Sequence, residues 1–105
     1  MITVNLRYKG ANARAFAEEM TASGTVDLIR AEPGNLRYEY YQSLDDPETI
    51  LLIDSWKDQA AIDAHQASPM MATIAELREN YDLHMIVERF VSIEDNAGDE
   101  RFVRK

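Results

Sequence analysis

Trp56-Lys57-Asp58-Gln59-Ala60-Ala61-Ile62-Asp63-Ala64-His65-Gln66-Ala67-Ser68-Pro69-Met70-Met71-Ala72-Thr73-Ile74-Ala75-Glu76-Leu77-Arg78-Glu79-Asn80-Tyr81 is the stretch whose reading decides the fold. Its tryptophan closes an apolar strand. Ala60, Ala61, Ala64 and His65 then mark a short helix, broken before Pro69 because the residue preceding a proline resists the α region. Ser68 reads as the N-cap of a second helix and Pro69 as part of its first turn. Met70, Ile74, Leu77 and Tyr81 recur at intervals of four, three and four, an apolar stripe on one helix face. The spacing Trp-x8-His-x2-Ser-Pro predicts an aromatic wall and a titratable imidazole near one end of a sheet.

Upstream, Thr49 to Trp56 is a strand, and Asp45-Asp46-Pro47 is turn chemistry that joins it to the aromatic-rich strand Leu36–Gln42 as an antiparallel hairpin. Glu32-Pro33-Gly34-Asn35 is a second turn, since proline presets φ and glycine tolerates positive φ. Before it, Ala13, Phe16, Ala17 and Met20 share a helical stripe from about residue 11 to 22, with Asn12 as N-cap. Ser23-Gly24 breaks that helix, and a short second one runs to Arg30. Ile2, Val4, Leu6 and Tyr8 alternate with polar residues, the period of a strand. Downstream, Leu83, Met85, Val87, Val91 and Ile93 mark a last long strand. The residues from Glu94 are polar and read as a loose tail, so the domain is 1–93 and the tail 94–105. Phe102 and Val103 are candidates to tuck onto a partner, although frayed termini are the commoner outcome.

The resulting order is β-α-β-β-α-β, an α+β ferredoxin-like arrangement with one antiparallel sheet and helices on one side. Ile50, Leu52 and Trp56 point one way and Leu51 and Ile53 the other, so the third strand is apolar on both faces. Such a strand belongs to a sheet covered twice. The economical second cover is a copy of the same sheet in a homodimer.

The 105 residues fit a single domain. Eleven basic and nineteen acidic residues leave a formal charge of -8, which repels phosphate backbones and anionic lipid alike. Nucleic acid and membrane surfaces are therefore excluded as partners. Absence of cysteine excludes thiol chemistry and suits a reducing compartment. No basic n-region precedes the first strand, and the longest aliphatic run is Ile50–Ile53, so the expected location is the cytoplasm. His65 and His84 lack metal-ligand spacing, the four glycines form no phosphate loop, and no serine sits in a nucleophile elbow.

Glu32-Pro33-Gly34-Asn35-Leu36-Arg37-Tyr38, followed by Trp56, Ala60-Ala61, His65 and Ser68-Pro69, resembles the antibiotic biosynthesis monooxygenase (ABM) domain family, including its quinol-monooxygenase-like members. The resemblance covers about residues 2–93. It implies a dimeric α+β barrel in which two ferredoxin-like sheets face one another. It further implies oxidation of a phenolic or quinol-like small aromatic by O2 with no metal, flavin or haem cofactor. Many members carry a histidine and an aromatic after Ser-Pro, where Met70-Met71 stand here, so a second imidazole is missing at that point. Haem-degrading relatives usually have tryptophan at the position of His65, which argues against haem as substrate.

His65 is the first candidate for catalysis, because an imidazole titrating near about pH 6.5 can take a phenolic proton at neutral pH. A quinolate in turn gives up an electron to O2 more readily than a quinol does. The competing reading is a helix-end histidine half in solvent or hydrogen-bonded to backbone. Trp56 would stack on a planar substrate, or serve as a core anchor. Asn5 and Arg7 share the polar face of the first strand and would hold a substrate oxygen or an oxyanion. Their alternative is hydrogen bonding at a dimer interface. Tyr38, Tyr40 and His84 would line the same cavity, with a sheet-to-sheet contact as the alternative. Met70, with Met71 and Met85, supplies adaptable apolar filling. The predicted function is thus cofactor-free monooxygenation with His65 as proton acceptor, assisted by Asn5 or Arg7. Its rivals in this fold are a non-catalytic ligand-binding or stress-response dimer and an isomerase of a small metabolite.

Overall fold

Four strands form one antiparallel sheet in the order β2-β3-β1-β4, where β1 is Ile2–Lys9, β2 Asn35–Gln42, β3 Thr49–Trp56 and β4 His84–Val91. The computed structural model describes residues 1–93 and 97–105. Central β1 runs against β3 from Ile2↔Trp56 to Lys9↔Thr49 and against β4 from Ile2↔Val91 to Lys9↔His84. The element order and antiparallel pairing are those expected of the ferredoxin-like arrangement. Helices α1 (Ala13–Ala22) and α2 (Thr25–Arg30) follow β1, and α3 (Gln59–Gln66) and α4 (Met70–Asn80) follow β3.

Because side chains alternate along a strand, one register decides which residues meet the helices. Leu6 and Tyr8 of β1, Tyr38 of β2 and Ile50, Leu52 and Trp56 of β3 are all buried on the helix side, against Phe16, Met20, Val26, Ile29, Ile62 and Ile74. Burying each large apolar side chain contributes about 1.5–3 kcal/mol, so this layer dominates the fold's stability. Tyr8 and Phe16 pack with ring centroids 5.0 Å apart, and Tyr40 and Tyr81 meet Phe16 edge-on. A bulge between Asn35 and Arg37 leaves Leu36 extra to the ladder and 58% exposed.

The break between α1 and α2 falls where the sequence puts it, with Gly24 at φ 84° supplying the left-handed residue. Two expected caps are not made. Asn12 occupies the N-cap of α1, but its φ −107°, ψ 14° is not the extended geometry a side-chain cap needs; it reaches toward the Tyr81 carbonyl instead. Pro69, not Ser68, takes the N-cap position of α4, in helical geometry, and the Ser68 hydroxyl makes no cap bond. Nothing in the structure explains that buried, unpartnered hydroxyl. The cap that does form was not anticipated: Asp58 Oδ1 accepts from the Ala61 amide at 2.9 Å and starts α3.

β4 departs most from expectation. Its apolar residues are exposed on both faces, with Met85 and Val87 on the helix side and Ile86 and Phe90 on the bare side, each between 43% and 51% exposed. Of the tail, a 3₁₀ helix spans Ala97–Phe102, where the sequence predicts a loose segment, and Phe102 and Val103 are exposed. The start of the expected tail, 94–96, lies outside the described residues.

Candidate active site

Trp56 ends β3 on its helix side and is 1% exposed. The chain then turns through Lys57 and Asp58 into α3, which carries His65 back over the indole. The two rings stand 4.8 Å apart between centroids, tilted by 32°. His65 is the buried, inward-facing residue near the C-terminal end of α3, not the half-solvated helix end of the competing reading.

A third residue holds the imidazole. His65 Nδ1 is 2.9 Å from Glu32 Oε1, with side-chain exposures of 8% and 18%. In the neutral ring the carboxylate keeps the proton on Nδ1, which leaves the lone pair on Nε2. Glu32 gets there because the Pro33-Gly34 turn presses against α3. Gly34 lies at φ 85°, a Cβ on it would stand 2.6 Å from the Ala61 Cβ, and its carbonyl accepts the Lys57 amide at 2.8 Å. Only glycine satisfies both the positive φ and the close approach.

Beside this dyad, between sheet and helices, is a cavity of about 180 Å³. Leu6, Leu52, Ile62, Met71 and Ile74 give it apolar walls, with Met85 and Val87 of β4 at its side. Trp56, His65, Gln66, Asp54, Tyr38 and Arg78 are its polar or aromatic members. Burial pushes the Asp54 carboxyl up to about 6; His65, Trp56 and Arg78 oppose the rise, and Glu32 adds to it. Burial likewise raises the Tyr38 and Tyr40 phenols well above the ordinary range, so both remain protonated donors. Arg78 donates to the Tyr8 hydroxyl at 3.0 Å, with its guanidinium carbon 5.5 Å from that ring's centre. Among the described residues, Asp54 Oδ1 and Arg78 Nε are buried without a hydrogen-bond partner.

A larger depression of about 390 Å³ lies between α1 and the β2 edge, around Arg14, Thr21, Tyr40 and Gln42. It is shallow, and its charged members Arg14 and Glu18 pair with each other on the surface at 2.9 Å. The smaller, more enclosed cavity holds the perturbed carboxyl and the oriented imidazole, and desolvated titratable groups are what chemistry uses.

The fold thus brings together Trp56, His65 and Tyr38 of the residues singled out from the sequence. Asn5 and Arg7 project from the helix-free face of β1, where Arg7 pairs with Glu88 at 3.3 Å and Asn5 Oδ1 is buried with no partner among the described residues. Neither lines the cavity. Their parity on β1 decides this, being opposite to that of Leu6 and Tyr8. His84 pairs with Lys9 at the far end of β4 and is exposed, Tyr40 borders the shallow groove, and Met70 packs at the edge of the core while Met71 lines the cavity.

Sequence reasoning missed Glu32, Asp54 and Arg78. Asp54 shares the parity of Leu52 and Trp56, and Arg78 follows Ile74 by one helical turn, so both stand at polar positions on an apolar face. Glu32 was legible only as part of the Glu32-Pro33-Gly34 turn and motif, with nothing to pair it with His65. Among the described residues no group of three or more His, Asp or Glu converges as a metal-ligand set, and no helix is long and apolar enough to cross a membrane.

Comparisons with known proteins agree with this architecture. YcnE of Bacillus subtilis (strain 168) is 34% identical over 44 residues, 42% of this chain and 46% of that protein, so the chain matches about half the length of that relative. SnoaB, a cofactor-independent oxygenase from Streptomyces nogalater, superposes with a TM-score of 0.75 at 19% identity, over 90% of this chain and 95% of that one. PA3566 from Pseudomonas aeruginosa superposes with a TM-score of 0.72 at 25% identity, over 88% and 93% of the two chains. At 19% identity such a likeness speaks for the fold alone. The model of the family described as antibiotic biosynthesis monooxygenase matches residues 1–77. With most of its length matched, this chain belongs to the antibiotic biosynthesis monooxygenase family.

Proposed function

We propose that the protein is a cofactor-independent monooxygenase of a quinol-like or phenolic aromatic, with His65 as the proton acceptor. One observation carries the reading: His65 is held by Glu32 at 2.9 Å, stacked on Trp56, and beside an apolar cavity. SnoaB, whose fold this chain shares, is a cofactor-independent oxygenase.

In this reading His65 Nε2 removes a phenolic proton, and Glu32 stabilises the imidazolium that results. The phenolate passes one electron to O2, giving superoxide and a phenoxyl radical, which combine to form a carbon–oxygen bond. The resulting peroxide takes up the proton from His65. Loss of the ring hydrogen with O–O cleavage then leaves a ring carbonyl and water. For a dihydroxybenzene the balance is one substrate molecule and one O2 giving one hydroxybenzoquinone and one water. One oxygen atom enters the product, and the other leaves as water with the phenolic and ring hydrogens. Trp56 and the aliphatic walls exclude bulk water, which would otherwise solvate the anion.

We also propose that two copies pair through the helix-free sheet face, in a cytoplasmic homodimer. Half-buried Leu51 and Ile53, exposed Ile86 and Phe90, and the unpartnered Asn5 Oδ1 all lie on that face and support the pairing. Asn5 and Arg7 then belong to the contact between copies, not to the catalytic pocket.

An oxygen electrode with hydroquinone as substrate tests the chemistry. The expected result is O2 uptake above autoxidation that falls by about 10²–10⁴-fold in His65→Ala. No uptake above buffer, or an unchanged rate in that variant, overturns the reading.

A further inference from the structure

The wall of the His65 cavity contains a carboxylate and a guanidinium whose hydrogen-bonding capacity the protein leaves incomplete. Asp54 is 8% exposed, and its Oδ1 has no partner among the described residues. Arg78 spends one amino group on the Tyr8 hydroxyl at 3.0 Å and leaves Nε buried and unpaired among the described residues. Buried polar atoms are nearly always satisfied, by protein, water or ligand. Two orphans of opposite character, on two residues that line one cavity, describe what the cavity's occupant has to bring. An ionised carboxylate only accepts hydrogen bonds, and a guanidinium only donates. A hydroxyl group offers both a proton for the first and a lone pair for the second. A carbonyl, ether or halogen offers no proton, and a carboxylate adds a like charge beside Asp54.

We propose that Asp54 and Arg78 recognise a second hydroxyl on the substrate, so that the cavity takes a single aromatic ring bearing two hydroxyl groups, one at His65 and the other at Asp54. The volume agrees with one ring, since a cavity of about 150 Å³ is enough for benzene and this one is about 180 Å³. The first hydroxyl rests on the functional reading above; recognition of the second does not need turnover. Asp54 is here a specificity-determining residue, with no part in moving the His65 proton.

Anaerobic titration calorimetry separates the two. Hydroquinone and 4-fluorophenol have similar shapes, but only hydroquinone carries the second O–H. Above neutral pH the wild-type protein should bind hydroquinone at least about 10-fold more tightly, and 4-hydroxybenzoate should bind worse than either. In Asp54→Asn the gap should shrink to about twofold, whereas His65→Gln should keep it. Equal wild-type binding of hydroquinone and 4-fluorophenol, or no binding of either, overturns the proposal whether or not any variant folds. So does an undiminished gap in Asp54→Asn. A full gap in the absence of O2 uptake supports the proposal and refutes oxygenation; O2 uptake without a gap does the reverse.

Discussion

Replacing Asp54 by asparagine should stabilise the protein at neutral pH and leave it unchanged in acid. The carboxyl is held at about 6 against an ordinary 3.8, chiefly because burial penalises its charged form. At about pH 2 the group is protonated in both folded and unfolded chains and contributes nothing to the balance between them. From about pH 4 to about pH 6 the unfolded chain ionises first, so stability falls as pH rises. Above that window the full penalty applies, roughly two units at about 1.4 kcal/mol each, or about 3 kcal/mol. Asparagine has no such titration. Urea unfolding of both proteins from acid to neutral pH, at fixed ionic strength and protein concentration, should give a difference in stability that opens with pH and then levels off. At neutral pH the melting temperature should rise by some 10 °C. An unpaired amide in the variant would shift all points together, so the slope is the quantity that decides. A difference that stays flat with pH, or one that grows toward acid, refutes the burial argument.

Gly34→Ala should lose about 1–3 kcal/mol, because alanine is strained at φ 85° and its Cβ meets that of Ala61; chemical denaturation that shows a loss under about 0.5 kcal/mol would contradict the close approach. Glu32→Gln should reduce O2 uptake about 10²-fold at nearly unchanged stability, since the amide no longer stabilises the imidazolium; steady-state rates on hydroquinone check it, and a wild-type rate removes Glu32 from the mechanism. Phe90→Glu puts a charge on the helix-free face, and light scattering after gel filtration should find one chain's mass where the unaltered protein gives two. A single-chain mass for both proteins would rule the pairing out.

The order of elements was legible because each depends on local rules. Period-two alternation marked β1, the Ser23-Gly24 break needed only a residue that tolerates φ 84°, and two-sided apolarity in β3 followed from parity. Trp56 and His65 were legible as a pair because nine residues of strand end and short helix connect them. Asn5 lies off the cavity for an equally local reason: on β1 the polar parity is the one that faces away from the helices, and parity alone does not say which sheet face carries the site. Asp54 had the right signal, a charge at an inward position two residues before Trp56, yet in isolation a carboxylate near a turn reads as solvated. The pairing of Glu32 with His65 was beyond reach, although the Glu32-Pro33-Gly34 turn was not. Glu32 is 33 residues from His65, and its contact depends on Gly34 passing so close to α3 that a Cβ there would stand 2.6 Å from the Ala61 Cβ.

Three of the unsatisfied polar atoms, leaving aside the Ser68 hydroxyl, fall on two different sides of the sheet. Desolvated donors and acceptors without partners are costly, about 1–3 kcal/mol each, so a fold retains them where something else completes them. Asp54 Oδ1 and Arg78 Nε belong to residues that line one cavity on the helix side, and Asn5 Oδ1 lies across the sheet from them. On the helix side the surroundings are enclosed and aliphatic, with an oriented imidazole, which suits a small hydroxylated ring. On the other side they are flat and partly exposed, with Ile53 and Phe90 on the same face, which suits another protein surface. β4 joins the two, since Met85 and Val87 border the cavity while Ile86 and Phe90 face outward from the same strand. A partner laid on the outer face would therefore also fix the strand that flanks the substrate. Loss of pairing in Phe90→Glu should accordingly weaken hydroquinone binding as well, although that side chain is on the opposite face from the ligand. Unaltered affinity in a monomeric variant would show that the two faces work independently.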